Sequence, residues 1–415
     1  MNVPIEQRPV VLAILVLTYV GLAIGRIPGL GLNRTGIALL GAIGMMIFSG
    51  SSTVQTASSV NWPTIFLLFG FFVISAQLRL SGFYDRVAMG ISQHLKAPTF
   101  FLLYLVVVTA GLSAFLNNDI VCYVLTPVVA AALVKKRLDP VPFLIALAAA
   151  SNIGGAATLI GHSQNMVIGT LAKLSFLKYI LWSFVPVVAG VGVTFLVARF
   201  GQRRGAPVGR TEPVELEDSA TYALDRYHAA KGLVILAAVI ALFFTSVPRE
   251  VTVLVAAGIH LLSTKFRTEQ LLALVDWHIL LMFMSLFVVS AAFQATGYGE
   301  QLVRWMEGVG FDPSRLANEA VLTGGLSVLI GNAPAVMLLV KLVPLVHASN
   351  AYVMAVANSF AGNAIVTSSV ANIIVVQQAR RQGVVISFGA FARLGIPITL
   401  VTMGVLIGWA AIVGP

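Results

Sequence analysis

The stretch SAFLNNDIVCYVLTP, residues 113–127, sets two amides and a carboxyl group, Asn117, Asn118 and Asp119, side by side in an otherwise apolar run. Stranding such groups in hydrocarbon is costly, so their presence argues for use. A carboxyl group there can hold a cation, or carry a proton near neutral pH because burial disfavours its charged form. A second stretch, AAASNIGGAATLIGHSQNMVIG at 148–169, supplies Ser151, Asn152, Thr158, His162, Ser163, Gln164 and Asn165. Its glycines each cost a helix about 1 kcal/mol against alanine. The spacing therefore predicts a broken helix, tolerable at membrane depth only where protein or a water-filled cavity satisfies the freed backbone groups.

Two later stretches match these. LIGNAPAVMLL at 329–339 contains Asn332 and Met337, and ANSFAGNAIVTSSVANIIV at 357–375 offers Asn358, Asn363, Thr367, Ser369 and Asn372. Small polar residues also help membrane helices pack, but four clusters at matched positions point to a solute site. Helix N-termini at two hairpin tips and two breaks would present partial positive charge there, and free carbonyls would face a cation or polar solute. Asp119 is expected to be the one acid well inside the apolar region. Ala333 stands at its matching position, so a single titratable carrier is expected. His162 can titrate, bind ligand or donate to a nearby carbonyl. Cys122, Met166 and Met337 lie near the clusters and would suit a soft solute, although methionine is ordinary apolar filling. Asp276, Asp85 and Arg86 read as span ends and His278 as interfacial.

These residues need a scaffold, and composition says which. Of 415 residues 58% are hydrophobic and 10% charged, with a mean hydropathy of +0.93, which describes an all-α polytopic membrane protein. The net charge of +10 is spread over short loops and forms no basic face for nucleic acid. The single cysteine excludes an internal disulfide. No phosphate-cradling loop, metal-spaced ligand set or nucleophile–base pair appears, so neither an enzyme nor a resident metal or cofactor is expected. No signal-peptide cleavage pattern opens the chain, which runs straight into an apolar span at 10–25.

Further apolar segments fall near 29–48, 63–79, 142–170 and 177–198, then 230–246, 250–264, 277–294, 351–378 and 389–413. The charged segment 200–229 divides the chain into repeats at 1–199 and 230–415. VNWPTIFLLFGFFVISAQLRLSGFYDRV at 60–87 aligns with VDWHILLMFMSLFVVSAAFQATGYGEQLV from 275, pairing Trp62 with Trp277, Ser75 with Ser290 and Gly82 with Gly297 at a spacing of 215. Asn118 pairs with Asn332 at 214. With re-entrant hairpins at 98–134 and 317–346, broken helices at 142–170 and 351–378, and ten crossings, the loops at 26–34, 79–97, 135–137, 199–231, 265–267 and 379–381 share one side and carry 18 of the 26 Lys and Arg residues, against 6 on the other. The richer side is expected to be cytoplasmic, so the repeats are inverted and both termini lie outside, in a bacterial plasma membrane.

The two hairpin and break motifs resemble those of the ion transporter superfamily, in its citrate-transporter-like branch. That branch includes arsenite and antimonite efflux permeases, sodium/proton antiporters and divalent-anion/sodium symporters. The resemblance covers nearly the whole chain and implies a secondary transporter, with a homodimer implied by the symporter relatives. In those symporters the hairpin tip looks like Ser-Asn-Thr; here Asn117, Asn118 and Asp119 stand in one half and Gly331, Asn332 and Ala333 in the other. Likewise GHSQN at 161–165 replaces a Gly-Asn-Pro-Gln-Asn pattern. The leading expectation is arsenite or antimonite efflux by proton antiport. Asp119 would carry the proton and Asn117, Asn118, Asn152, Asn332 and Asn363 would contact solute, with Thr158 and Ser369 in addition. No well-placed arginine is seen. The alternatives are a sodium- or proton-coupled permease for a dicarboxylate or inorganic oxyanion, then a sodium/proton antiporter, and outside transporters a channel. Without its own ATP engine the chain runs on an ion gradient or on a cytoplasmic ATPase partner docking at 200–229.

Overall fold

The computed structural model describes residues 3–25, 29–92, 97–202, 222–263, 265–343 and 347–414. Most of the dividing segment, 203–221, lies outside the described residues, so the docking site expected there does too.

The first half contains α1 (Arg8–Ile24), α2 (Arg34–Phe48), α3 (Thr53–Ser58), α4 (Trp62–Leu80), α5 (Phe83–Ser92), α6 (Pro98–Phe115), α7 (Asn118–Lys135), α8 (Val141–Gly155), α9 (Ser163–Leu171) and α10 (Phe176–Gln202). The second contains α11 (Arg226–Leu242), α12 (Arg249–Leu261), α13 (Thr268–Ala273), α14 (Trp277–Ala295), α15 (Tyr298–Gly308), α16 (Leu316–Ile330), α17 (Asn332–Leu342), α18 (Ala348–Ala361), α19 (Val370–Arg381) and α20 (Phe388–Val413). Each helix of the first half therefore has a successor in the second, in the same order.

The matched pairs share their local chemistry. Both α4 and α14 begin on a tryptophan behind an N-cap, Asn61 accepting from the Thr64 amide and Asp276 from the Ile279 amide, each at 3.0 Å. Both end before a glycine in the left-handed region, Gly82 at φ 72° and Gly297 at φ 76°. The short helices α3, α5, α13 and α15 fall where the sequence suggested only loops; α5 occupies part of the expected loop 79–97.

Contacts between the halves show the inversion. Helix α14 starts beside the start of α2, where the Thr35 hydroxyl donates to the His278 carbonyl at 3.2 Å. Helix α12 runs along α4 in parallel: Gly70 lies against Val253, and near the other ends Leu78 packs on Gly232 while Lys231 bonds the Ile259 carbonyl. Each repeat thus lays its second helix along the other's fourth. The fold is all-α, with five crossings and one hairpin per repeat. Seven helices, counting α1 together with the 3₁₀ turn Ile5–Gln7 before it as one, are by themselves long and apolar enough to cross a membrane among the described residues; α6 and α7 are the arms of the first hairpin.

The hairpins seat on broken helices, α6 on α8 and α16 on α18. This seating explains Gly154 on α8: a Cβ there would stand 2.2 Å from the Ala110 carbonyl oxygen of α6. The Gly154→Ala variant is expected to lose about 1–3 kcal/mol from this overpacking, read as a lower thermal midpoint of the purified protein in detergent. Gly111→Ala, with nothing within 4 Å of its Cβ, is the control and should not fall. Equal midpoints for the two variants would contradict the close seating.

Candidate substrate site

Between the repeats lies a cavity of about 670 Å³ onto which four helices begin. They are α7 with Asn118 and Asp119, α9 with Ser163 and Gln164, α17 with Asn332, Ala333 and Pro334, and α19 with Val370. The dipoles of these helices turn partial positive charge toward this space. The mouth is formed by helix ends, with Gly25 closing α1, Asn33 and Arg34 opening α2, Asp276 capping α14 and Gln377 near the end of α19.

At the first hairpin tip, the Asn117 side-chain oxygen accepts from the amides of Asp119 (2.9 Å) and Ile120 (3.3 Å) and so caps α7. Asn118 and Asp119 then point to the cavity, Asp119 half-buried. At the second tip Gly331 turns the chain at φ 91°. Asn332 donates to the carbonyls of Ser368 (3.1 Å) and Asn358 (3.2 Å) in the amide orientation that satisfies both its ends.

The two breaks are built alike. In the first, the Asn165 side chain donates to the carbonyls of Gly155 (3.2 Å) and Thr158 (3.1 Å). In the second, Asn372 donates to those of Gly362 (2.6 Å) and Ile365 (3.0 Å). The Thr158 hydroxyl bonds the Ala114 carbonyl and receives the amides of Ile160 and Gly161, while His162 Nε2 bonds the Asn152 carbonyl at 2.8 Å. Of the alternatives open for His162, the bond to a carbonyl is made, and its ring also reaches the cavity wall. Asn152 joins the two breaks. Its Nδ2 donates to the side-chain oxygens of Asn363 and Asn372, both at 3.0 Å, and its Oδ1 accepts from the Ser369 hydroxyl at 3.0 Å.

The expected polar residues thus divide. Asn118, Asp119, His162, Asn332, Thr367 and Ser369 line the cavity. Asn117, Ser151, Asn152, Thr158, Asn165, Asn358 and Asn363 stand behind it, bonded to the protein itself: Ser151 bonds the Asn118 carbonyl at 3.1 Å, and Asn358 the Asn332 carbonyl at 2.9 Å. Cys122, Met166 and Met337 are buried and belong to the apolar core rather than the wall.

Three sequence expectations are corrected. An arginine is present: Arg34, counted above as a loop charge, reaches into the cavity, where its Nη2 donates to the Thr367 carbonyl at 2.9 Å. Asp276 and His278, read as span-end residues, are on the wall as well. Nor is Asp119 the one acid inside, because Glu319 near the start of α16 is fully buried. None of these had a local signal. Arg34 meets its partner 333 residues away, and Asp276 carries the ordinary signature of an N-cap. The electrostatic result is a wall with two carboxyl groups, Asp119 and Asp276, and one guanidinium.

The sequence matches the citrate transporter family model over residues 13–361. It is 30% identical over 366 residues to an uncharacterised transporter of Mycobacterium tuberculosis (strain CDC 1551 / Oshkosh), covering 83% of this chain and 85% of that one. Over 171 residues it is 34% identical to the silicon efflux transporter of Oryza sativa subsp. japonica, covering 41% of this chain and 35% of that protein. Its fold is similar to the YdaH transporter of Alcanivorax borkumensis, with a TM-score of 0.63 at 13% identity over 99% of each chain. With two inverted repeats closing on one polar cavity and a family match over most of its length, the chain belongs to the citrate transporter family and is a multi-pass membrane transporter.

Proposed function

We propose that this transporter extrudes arsenite or antimonite in exchange for protons, with Asp119 as the proton carrier. The observation that carries this reading is the composition of the cavity wall. Amides and hydroxyls from both repeats, Asn118, Asn332 and Ser369, meet there beside two carboxyl groups and one guanidinium. Arsenous acid is uncharged at physiological pH and bears only hydroxyl groups, which Asn118 can meet as donor and acceptor and Asn332 and Ser369 through their oxygens, their donors being used within the protein. A multiply charged anion would instead meet two carboxyl groups. The relative named for silicon efflux supports the outward direction of transport.

In this reading Asn118, Asn332 and Ser369 contact the solute, and Asn117, Asn152, Thr158, Asn165 and Asn363 hold the walls that present them. The cavity mouth lies on the side whose loops are rich in Lys and Arg, so it faces the cytoplasm of a bacterial cell and both termini face outward. Asp119 binds a proton that arrives from outside, releases it inward and thereby exchanges it for solute.

A second reading is favoured by Arg34 on the wall and by α9, α17 and α19, whose first turns contain no acid. It is a sodium- or proton-coupled permease for a dicarboxylate or inorganic oxyanion.

In everted vesicles, Asp119→Asn is expected to cut proton-gradient-driven arsenite accumulation by roughly tenfold or more, to the level of vesicles treated with an uncoupler. Accumulation by the variant with undiminished dependence on the gradient would sink the assignment. Arg34→Gln separates the two readings. Arsenite transport should change by no more than about threefold, since the guanidinium lost is not the proton carrier. A collapse of succinate, citrate or sulfate uptake in that variant, from a wild-type protein that takes them up, would establish the second reading instead.

A further inference from the structure

Helix α16, the first arm of the second hairpin, places Glu319, Thr323 and Ser327 four residues apart on one face, each step advancing about 6 Å along the axis. All three are fully buried. The stripe ends behind the cavity wall: the Ser327 hydroxyl donates to the Thr323 carbonyl at 2.7 Å and accepts from Asn358 Nδ2 at 2.8 Å, and that Nδ2 also donates at 2.9 Å to the carbonyl of Asn332, a wall residue. At its other end, one Glu319 oxygen accepts from Asn350 Nδ2 at 2.7 Å, while the second has no partner, and neither has the Thr323 hydroxyl.

No cation among the described residues neutralises this acid. Among the described residues Glu319 has no ion pair, and Asp312 and Arg315 at the hairpin mouth pair with each other at 3.5 Å. The elements packed on α16 are α1, α17, α18, α20 and the turn Val366–Ser368. Their ionisable side chains, Arg8, Tyr19, Lys341, Tyr352 and Arg393, make no hydrogen bond or ion pair to the Glu319 carboxyl group. His347, which precedes α18, makes none either.

The first repeat serves as an internal control. Thr109 and Ser113 of α6 occupy the matching places, and Ser113 reaches the Asn118 carbonyl through the Ser151 hydroxyl at 3.0 and 3.1 Å. Where Glu319 would match, however, stands Leu105, fully buried. The polar stripe is therefore part of the hairpin design, whereas the acid is an addition that the design does not need. The mouth of the hairpin lies beyond its tip from the cavity mouth, because Gly331 at the tip sits beside Arg34. Cavity and stripe thus approach Asn332 from opposite ends of the molecule.

We propose that Glu319 is a second proton-carrying residue, the entry point of a relay that supplies Asp119 from the side opposite the cavity mouth. Glu319 takes a proton from water at the hairpin mouth. The Thr323 hydroxyl, and the Ser327 hydroxyl once it turns from the Thr323 carbonyl, pass a proton through water to the cavity, and Asp119 accepts it; the proton that leaves Glu319 is replaced from outside, so charge is conserved at each transfer. This inference rests on the proton-antiport reading above.

The test uses everted vesicles containing the full chain, arsenite as the probe and a pH-sensitive dye to follow arsenite-dependent proton movement. Glu319→Gln and Glu319→Leu, the latter reproducing Leu105, should lose about tenfold or more of that movement while arsenite–arsenite exchange without a gradient stays at the wild-type rate. Undiminished proton movement in either variant overturns the relay, and so does loss of exchange along with it, since that marks a structural role. If neither Glu319 variant folds, Thr323→Val decides: slowed coupled flux with intact exchange supports the relay, and unchanged coupled flux overturns it. Arsenite transport by the wild type without proton movement would remove the antiport reading itself. That failure shows in the wild type and is separable from the others.

Discussion

One amide, Asn152, makes the contact on which the site depends. A helix broken at membrane depth exposes carbonyl and amide groups that lipid cannot satisfy, and this chain breaks two of them. Each break settles two of its carbonyls locally, through Asn165 in the first and Asn372 in the second. Asn152 then ties one break to the other through Asn363, Asn372 and Ser369. Those three bonds cross 211 residues or more of sequence, and they lie behind the wall that Ser369 and His162 present. Without a partner on the opposite repeat, the Asn152 amide would be a buried polar group with nothing to bond, which costs about 1–3 kcal/mol.

Around that junction the scaffold is symmetric and the chemistry is not. Helix order, the caps of α4 and α14, the hairpin-tip asparagines and the asparagines behind each break all occur twice. The arginine that opens the second helix of each repeat also occurs twice, Arg34 bonding the Thr367 carbonyl and Arg249 the Leu174 carbonyl. Three acids do not: Asp119 faces Ala333, Asp276 faces Asn61 and Glu319 faces Leu105 across the repeat. Packing and backbone satisfaction account for what is repeated. The neutral counterparts show that the same scaffold positions are also filled without an acid, so packing does not call for one.

The repeated part was legible in the sequence because it rests on local rules. The constant offset near 215, the glycines that interrupt α8 and the apolar lengths follow from helix propensity and hydrocarbon thickness. Thr158, Asn165 and Asn358 were recognisable as polar residues of the breaks, but their partners are carbonyls whose direction only the folded backbone fixes. Arg34 and Asp276 were misread because a charge at a helix end looks the same whether it faces a loop or a cavity. Glu319 was missed because it lies within one turn of the α16 start, where an acid complements the helix dipole. Cys122, Met166 and Met337 are near the motifs in sequence, yet helical rotation turns them into the core.

The junction is tested most directly by a double-mutant cycle on thermal unfolding of the purified protein, comparing Asn152→Ala, Asn372→Ala and the pair. If the two side chains hold the breaks together through one network, the double variant should be less destabilised than the sum of the singles, with a coupling of about 1–3 kcal/mol. Strictly additive losses would mean that the breaks are held separately, and the account of a shared junction would be wrong.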